Sequence, residues 1–411
     1  MHLSRLRFRH PGVVLILAIL VGAGSVLSEV RMLPDATGTW KPWKPFAAIA
    51  SARQAQAATS ALVQQFESEL LAFQSILRRA SAVASPVGFS VETWGHLAAS
   101  ARVENAPDQP SANSLPLAGA LTFGAFPIFE YERNGKMIRE DTGETALQMF
   151  LVNQIGPGVI DSGNVPDWGA VERDAFLQPL PGDEIAGLPR YGDGLVIARD
   201  PADLWTSLSH RGALEIVVKA READLRGMER SAESLSAQLA KVRDPAARAK
   251  RMKEVQQAAA TMPDPQAFIR LIEESIRAEE AALMKDLAPT GGVGRGLIEA
   301  RKALAEVTGR LAELSPAELG APVCYAAKGA TLAARFSTTP AAGCHPLVRP
   351  NYDYFDKTVP RSAPQVVIIT PIARCFDMAN RHNSDLTSVG CLANRGLIET
   401  LDKEAIRARL R

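Results

Sequence analysis

Residues 214–242 read LEIVVKAREADLRGMERSAESLSAQLAKV, and this stretch has the most regular hydrophobic pattern of the chain. Its apolar positions follow one another at alternating steps of four and three residues, which places them along one side of an α-helix. Four heptads of this kind are enough to predict a coiled-coil seam. The nine seam positions, eight of them apolar, are Leu214, Val218, Arg221, Leu225, Met228, Ala232, Leu235, Leu239 and Val242.

Helix-start signals divide the surrounding sequence. Three Asp-Pro pairs begin at Asp200, Asp244 and Asp264. Each pair combines a side chain that accepts a hydrogen bond at the N-cap with a proline at the first helical position, where its missing N–H is not needed. Ser315 and Glu318 have the spacing of a capping box for a further short helix. The sequence therefore predicts several consecutive helices with defined starts.

These helices can fold back against the seam. We predict a helical hairpin or a small antiparallel bundle over residues 201–319, because apolar residues that could cover the seam follow it closely. Pairing of the seam with a second subunit is the alternative. The residues that would cover the seam within the chain are Phe268, Leu271, Ile272, Ile276 and Leu283.

The middle of the chain differs in composition and hydrophobic period. Glycine and proline become frequent over residues 84–200, and short apolar runs replace the helical period. Asn134-Gly135 stands between two such runs, which is a strong hairpin signal because both turn positions need a positive φ. We predict a mixed α/β region, with strands at residues 126–133, 136–139 and 194–198 and a short helix at residues 145–155.

The segment before this region predicts one long helix. Apolar residues recur at steps of three and four over residues 46–83, and neither proline nor glycine interrupts them. Residues 40–45 read WKPWKP, and their two tryptophans and two lysines suit a membrane interface. A proline-stiffened linker is the alternative. Residues 31–83 are thus predicted to form a juxtamembrane linker and a long helix.

The first thirty residues have the layout of a secretory signal or signal anchor. Arginines at positions 5, 7 and 9 precede an uncharged, apolar stretch at residues 11–28. A retained anchor and a cleaved signal are both compatible with a run of about 17 residues, which is just long enough to span a bilayer. The basic flank predicts that the remainder crosses the membrane. The predicted location is the bacterial inner membrane, as a single-pass protein with its bulk in the periplasm, or the periplasm or exterior after cleavage.

The last segment, residues 320–411, holds every cysteine of the chain. An even number of cysteines in an exported chain predicts disulfides, and pairing each cysteine with its neighbour closes two short loops. A metal site that uses the cysteines with His345 and His382 is the alternative, although zinc sites normally include a closely spaced cysteine pair. The predicted pairs are Cys324 with Cys344 and Cys375 with Cys391.

The fold class that these patterns predict is α+β. It combines long helices, including a coiled-coil-like helical hairpin, with a mixed α/β middle region and a small disulfide-bonded α+β C-terminal region. In that last region we predict strands at residues 322–325, 332–336 and 366–369 and a final helix at residues 397–410. The predicted segments are residues 1–30, 31–83, 84–200, 201–319 and 320–411.

The most unusual polar residues lie in two clusters, at residues 345–356 and 380–385. If the disulfides bring these clusters together, their histidines and carboxylates could perform general acid–base or metal-assisted hydrolysis. A surface loop held by disulfides is the alternative. The weak catalytic candidates are His345, Asp353, Asp356, His382 and Asp385, and the weak ligand-binding candidates are Tyr352, Tyr354 and Phe355.

Two further patterns have ordinary explanations beside functional ones. Residues 291–296, GGVGRG, suggest a phosphate-binding loop, but a predicted helix precedes them where such a loop needs a strand, which favours an inter-helix turn. Residues 241–253 contain six lysines and arginines beside one aspartate, Asp244. They could contact anionic lipid, an acidic cell-wall polymer or an acidic partner, or simply form a solvated face. No cofactor is expected.

The charge balance excludes one class of function. The chain has 46 Lys+Arg against 45 Asp+Glu, so it lacks the basic excess that nucleic-acid binding requires. The sequence favours a non-enzymatic membrane-anchored or periplasmic envelope protein that acts as an adaptor, scaffold or ligand-binding module. It would contact the cytoplasmic membrane through residues 11–28 and an envelope protein through its helical region. The alternatives are a periplasmic hydrolase with a site near His345 and His382, and an accessory subunit of a secretion or sensory complex.

Overall fold

The structure is a computed structural model. It describes residues 30–98, 114–141, 147–156, 175–326, 335–338, 344–371, 373–376 and 388–411. Of these residues, 49% are helical and 24% lie in strands, which confirms the prediction of a mixed helix and sheet protein. The predicted membrane segment at residues 11–28 lies outside the described residues. Within them, no helix combines the length and the hydropathy that a membrane span requires.

The strands of the described residues are mostly short. They are β1 (Arg31–Met32), β2 (Phe89–Leu97), β3 (Gly119–Pro127), β4 (Phe129–Arg133), β5 (Lys136–Glu140), β6 (Leu147–Val152), β7 (Phe176–Leu177), β8 (Pro181–Ile185), β9 (Leu188–Tyr191), β10 (Gly194–Ile197), β11 (Trp205–Ser207), β12 (Cys324–Ala326), β13 (Phe336–Ser337), β14 (Cys344–Pro350) and β15 (Val367–Thr370).

The helices include four long ones in succession. They are α1 (Ala50–Ala55), α2 (Ser60–Leu77), α3 (Ser81–Ala84), α4 (His210–Arg243), α5 (Pro245–Ala259), α6 (Pro265–Leu287), α7 (Gly292–Glu313), α8 (Pro316–Gly320), α9 (Ala373–Phe376), α10 (Val389–Thr400) and α11 (Lys403–Arg407).

A seven-stranded sheet forms the centre of the protein. Its order is β2-β3-β6-β15-β10-β9-β8, and every neighbouring pair is antiparallel. Ile369 of β15 lies opposite Phe150 of β6 on one side and Leu195 of β10 on the other. A strand near the end of the chain therefore joins strands from its middle into one sheet.

Both faces of this sheet are covered. On one face, Phe66, Leu70 and Phe73 of α2 pack with Phe123 and Leu397 in the main hydrophobic core. The other face packs against a second core that includes Trp205, Tyr352, Phe355 and Ile368. The alternation of side chains along each strand divides the sheet residues between the two cores.

The predicted helix at residues 145–155 is wrong, because β6 occupies this position in the middle of the sheet. Phe150 of β6 belongs to the main core and Leu151 belongs to the opposite core. A strand that is covered on both faces has a continuous apolar run instead of an alternating one. Such a run does not distinguish a strand from a buried helix.

The predicted single helix at residues 46–83 is also wrong, because α1, α2 and α3 divide this segment. Ala57 has a φ of 45°, which ends α1, and the Thr59 side chain accepts a hydrogen bond from Leu62 N to begin α2. Between them, the Gln56 side chain donates to the carbonyls of Ala98 and Ala118. Contacts with distant residues therefore set this break.

Residues 40–45 are part of the folded body instead of a linker. Trp40 Nε1 donates to the Val83 carbonyl at 2.7 Å, and Trp43 Nε1 donates to Glu67 at 3.1 Å. Both indoles pack against the main core. Lys44 forms a 2.9 Å ion pair with Glu92 of β2. The segment thus runs beside the outer edge of β2.

A small three-stranded sheet has the order β1-β4-β5. Its β4–β5 hairpin confirms the turn predicted at Asn134-Gly135, where the two φ angles are 54° and 73°. β1 pairs with the other edge of β4. This sheet therefore begins directly after the part of the chain in which the membrane segment is predicted.

The second larger sheet contains β11, β14, β12 and β13, with β7 also paired to β14. The predicted strands at residues 322–325 and 366–369 correspond to β12 and β15, while most of residues 332–336 lies outside the described residues. The predicted final helix at residues 397–410 is wrong in its bounds. Its residues belong to the end of α10 and to α11, which are separated at Leu401.

The helices α5, α6 and α8 begin where the sequence predicts, but the helix start predicted at Asp200-Pro201 is wrong, because only a short 3-10 turn follows it at Pro201–Leu204 before β11. The side chains of Asp244 and Asp264 accept backbone hydrogen bonds at the starts of α5 and α6, and Ser315 forms the predicted capping box with Glu318. Ser209 supplies the cap of α4. The 34 residues of α4 extend for roughly 50 Å at about 1.5 Å per residue.

Contacts between these helices define their direction. Leu214 and Val217 near the start of α4 pack in one core with Val307 of α7. Farther along α4, the Met228 Sδ atom lies 3.0 Å from the position that a Cβ atom at Gly296 would occupy. Later positions of α4 therefore meet earlier positions of α7, so these two helices run antiparallel.

Candidate functional site

His345 lies near the start of β14 with its side chain exposed to solvent. It is opposite Tyr325 of β12 in the antiparallel register, and it follows Cys344, whose disulfide links β14 to β12. Strand pairing and the disulfide fix its backbone. No described acidic residue forms a hydrogen bond or an ion pair with it in the structure.

Asp353 and Asp356 lie beyond the other end of β14. Asp353 is exposed and forms a 2.9 Å ion pair with Lys357. Asp356 accepts hydrogen bonds from the backbone N–H and the hydroxyl of Thr358, and these bonds lower the pKa of Asp356. Its carboxylate therefore closes a local turn and stays ionised, which suits a structural role.

The strand keeps His345 apart from these carboxylates. Pro350 follows His345 by five positions along an extended strand, a distance of roughly 16 Å at about 3.3 Å per residue. Asp353 and Asp356 follow Pro350 in the chain. His345 and the two carboxylates therefore lie at opposite ends of β14, and a shared catalytic role stays a prediction. His382 and Asp385, the other two candidates, lie outside the described residues.

The three aromatic candidates have packing contacts. Tyr352 and Phe355 are buried in the core beneath the central sheet, at 9% and 4% exposure. Tyr354 is partly exposed, and its hydroxyl accepts a hydrogen bond from the Arg199 backbone N–H at 2.9 Å. The Arg199 guanidinium lies 5.7 Å from the Tyr354 ring centroid. Ligand binding by these residues stays a prediction.

The predicted cysteine pairing is confirmed. Cys324 is bonded to Cys344, and Cys375 is bonded to Cys391. Two disulfides indicate an oxidising extracellular or periplasmic location. Among the described residues, no group of histidines, cysteines and acidic residues could hold a metal ion.

The outer helical segment, defined here as residues 221–306, has an unusual distribution of burial. In this segment of α4 to α7, the buried residues are only Ala259, Ile276 and Gly291. The seam residues Leu225, Leu235 and Leu239 stay partly exposed. The principal contacts of α5 and α6 are with each other and with α4 and α7. The segment thus has almost no core of its own.

Ion pairs connect the helices of the outer helical segment. Arg243 at the end of α4 binds Glu280 of α6 at 2.8 Å, and Arg251 of α5 lies 3.3 Å from Glu279 of α6. These pairs involve two of the six cations at residues 241–253. The carboxylates of α6 therefore offset part of the basic cluster that the sequence analysis singled out, and the cluster is less positive than its own sequence indicates.

Of the glycine-rich residues 291–296, Gly291 lies in the tight turn between α6 and α7, and the others begin α7. A Cβ atom at Gly291 would lie 1.9 Å from the Lys285 carbonyl oxygen, and one at Gly294 would lie 2.1 Å from that of Ala288. Only glycine allows the backbone to approach this closely. A helix precedes the turn, as the inter-helix interpretation predicts.

His210 lies at the base of α4, and sequence analysis did not single it out as a functional residue. Its side chain is 2% exposed, and neither ring nitrogen has a hydrogen-bond partner within the described residues. Burial lowers the pKa of His210, and the charge of Arg310 lowers it further, against an opposing effect of Glu318. A lone histidine gives no sequence signal for this environment, since burial arises from α7, α8 and β12 around it.

Comparison with protein-family models, with curated proteins and with solved structures gives no match to this chain.

Proposed function

We propose that this protein is a non-enzymatic envelope protein whose outer helical segment is a coiled-coil-like hairpin that docks a second protein. In this proposal, α4 and α5 form the outgoing limb and α6 and α7 form the returning limb. The membrane segment at residues 11–28 tethers the chain, and the disulfide-bonded body lies on the far side of the membrane. The role is that of an adaptor or scaffold.

One observation carries the proposal: residues 221–306 bury only Ala259, Ile276 and Gly291. A stable domain normally encloses one hydrophobic core. Here the seam residues are covered by a single neighbouring limb and retain accessible apolar surface. A half-covered row of leucines on paired helices is the arrangement that accepts another amphipathic helix in its groove.

Exposed side chains on the far side of the seam add to this support. Leu271 of α6 is 61% exposed and Ile298 of α7 is 52% exposed. Met228, which is a seam position, and Met284 of α6 are 37% and 48% exposed. Methionine is common at protein-binding surfaces because its flexible side chain adapts to different partners. The accessible apolar residues thus lie along both limbs.

The experiment is site-specific photo-cross-linking in the native host. A photoreactive amino acid at Leu271 or Ile298 should give a discrete adduct with another protein. Leu180 is the matched control, since it is 53% exposed but lies on the body. Adducts at the helical positions and none of the same mass at position 180 would support docking. Identical adducts at all three positions, or adducts only between copies of this chain, would contradict it.

A further inference from the structure

The small sheet next to the predicted tether has one apolar face, which we call the β4 face. Met32 of β1 lies opposite Phe129 of β4, and Tyr131 of β4 lies opposite Ile138 of β5. Side chains alternate along a strand, so these four residues share one side of the sheet. The β4 face consists of Met32, Phe129, Tyr131 and Ile138.

This face is accessible. Met32 is 44% exposed, while Phe129, Tyr131 and Ile138 are partly exposed. None of the four belongs to a hydrophobic core of the described residues. Cross-strand neighbours shield one another, which accounts for part of the burial of these side chains.

The opposite face of the same sheet is mostly charged, with one exposed apolar residue, Met137, at 62% exposure. Arg31 lies opposite Glu130, and Glu130 lies opposite Arg139, so these three residues form a row of alternating charge. Arg139 also donates to the Thr37 carbonyl at 2.7 Å. This side therefore contacts the body through Arg139, whereas the β4 face has more apolar residues than the opposite face.

Cations border the β4 face where the hairpin turns. Arg133 and Lys136 lie opposite each other on this side and are exposed. One carboxylate, Glu140, lies on the same face opposite Phe129 and forms a hydrogen bond with Tyr131, which also interacts with Arg133. An aromatic and aliphatic surface with cations at its rim matches the composition that settles among lipid headgroups.

The β4 face lies close in sequence to the predicted membrane segment, which favours the membrane surface as its neighbour. Met32 is four residues after position 28, where the predicted membrane segment ends, and four extended residues span at most roughly 14 Å. The headgroup layer on each side of a bilayer is roughly 5–8 Å thick. A chain that leaves the membrane at residue 28 must therefore hold β1 at the membrane surface.

We propose that the β4 face rests on the headgroups of the membrane that holds residues 11–28, with Arg133 and Lys136 at anionic lipid phosphates. This inference rests on the tether in the proposed function and adds a fixed orientation of the body. With the small sheet against the bilayer, the body has a defined side that faces the lipid, and the outer helical segment presents its docking surface in a set direction.

Photo-cross-linking of the full chain in native membranes tests this contact. A photoreactive residue in place of Tyr131 should form lipid adducts several-fold more often than one in place of Glu132, its neighbour on the opposite face. Mass spectrometry of the modified peptide distinguishes a lipid from a protein adduct. Equal lipid labelling at both positions would overturn the proposal. So would adducts at position 131 with a second copy of the chain or with residues 1–28.

Charge reversal gives a second test that does not alter the apolar residues. Arg133→Glu together with Lys136→Glu should reduce the lipid adducts formed at position 131, because the rim would then repel anionic headgroups. Both positions are exposed, and formation of both disulfides checks that the variant folds. Unchanged lipid labelling in this variant would overturn the role of the two cations.

The outcome separates this inference from the proposed function. Alkaline washing of the membranes shows whether the chain is integrated, and the adducts at Leu271 show whether the helical segment docks a protein. If the chain stays in the membrane and the Leu271 adduct forms while position 131 gives no lipid adduct, only the β4-face proposal fails. Release of the chain by the wash would overturn both the tether and the β4-face contact.

Discussion

The Nε atom of Arg243 lies 2.8 Å from the Oε1 atom of Glu280, and this pair joins the last turn of α4 to α6. The same guanidinium lies 2.7 Å from the Met284 sulfur through Nη2. Arg243 therefore contacts α6 at the far end of α4, beyond the part of α4 that lies beside α7. A polar clamp at this place is consistent with helices that have few buried apolar contacts to hold them together.

The Arg243–Glu280 pair should contribute little to stability on its own. Its side chains are 48% and 27% exposed, so water and salt screen the attraction. A double-mutant cycle with Arg243→Ala and Glu280→Ala should give a coupling free energy below about 1 kcal/mol. Urea denaturation followed by circular dichroism measures it. A coupling free energy several times larger would mean that the pair is shielded from solvent by a contact that this structure does not contain.

Two glycines within the long helices should be replaceable with a gain in stability. Gly227 of α4 and Gly309 of α7 have no atoms within 4 Å of an added Cβ. Gly227→Ala and Gly309→Ala should each raise the free energy of unfolding by about 0.5–1 kcal/mol, because alanine loses less backbone entropy in a helix. Thermal denaturation measures the change. A loss of stability at either position would indicate that something packs there.

Gly38→Ala is the contrasting substitution. A Cβ atom at Gly38 would lie 1.7 Å from the Phe89 carbonyl oxygen, so the segment before Trp40 would have to leave the edge of β2. We expect a loss of stability well above the usual effect of a surface substitution, which is within about 0.5 kcal/mol. Chemical denaturation of the purified variant measures it. Wild-type stability would contradict the packing of this segment against β2.

Loss of the buried disulfide should weaken the fold. Cys375 and Cys391 are 2% and 0% exposed and enclose a sequence separation of 16 residues. Replacement of both by alanine should lower the free energy of unfolding by about 3 kcal/mol, since the unfolded chain gains conformational freedom. Denaturant titration of the variant, beside the Cys324 and Cys344 double variant, measures this. Free thiols in the untreated native protein would contradict the pairing.

Stability should fall on acidification through His210. Its pKa in the folded state lies below the ordinary value of 6.5, so the unfolded chain binds a proton first as the pH decreases. The contribution of neutral His210 to the free energy of unfolding is complete above about pH 6.5. It is lost as the pH falls toward the lower pKa of His210 in the folded state.

His210→Leu should flatten this pH dependence, because leucine fills a similar volume without binding a proton. Unfolding free energies across the range below neutrality measure the slope for both proteins. His345→Gln is the matched variant, since it replaces a histidine that is exposed instead of buried. Burial also lowers the pKa of His96. His96 is unchanged in the His210→Leu variant, so some dependence of the unfolding free energy on pH should remain. An identical slope in His210→Leu would contradict the assignment.

Local signals in the sequence were sufficient for several parts of the fold. The capping residues Asp244 and Asp264, the turn at Asn134-Gly135 and the two neighbouring cysteine pairs all depend on residues close together in the chain. Each has a short-range physical cause, such as an unsatisfied N–H, a positive φ or a short loop. The structure confirms each of them.

Other parts depend on contacts that the sequence does not reveal. β6 has the apolar run of a strand covered on both faces, and only its place between β3 and β15 distinguishes it from a helix. The break after α1 follows from the Gln56 side chain, which binds Ala98 and Ala118 far along the chain. The order of the sheet, with β15 beside β6, has no local signal at all.

The candidate site shows the same limit. The predicted site depends on the disulfides bringing residues 345–356 and 380–385 together, and residues 380–385 lie outside the described residues, so this prediction stays open. Tyr352 and Phe355 resemble a ligand-binding surface in the sequence and are core residues in the fold. The seam of α4 was predicted from its period, whereas its partial exposure depends on how few helices cover it.

Removal of the outer helical segment tests the central claim most directly. Because α4 and α7 run antiparallel, residues 222–305 can be replaced by a short Gly-Ser linker that joins neighbouring turns. Native complexes extracted with mild detergent are then compared by size. We predict that the full chain migrates in a larger assembly, while the shortened chain folds with both disulfides and migrates at its own mass. A shortened chain that still enters the same assembly would contradict the account.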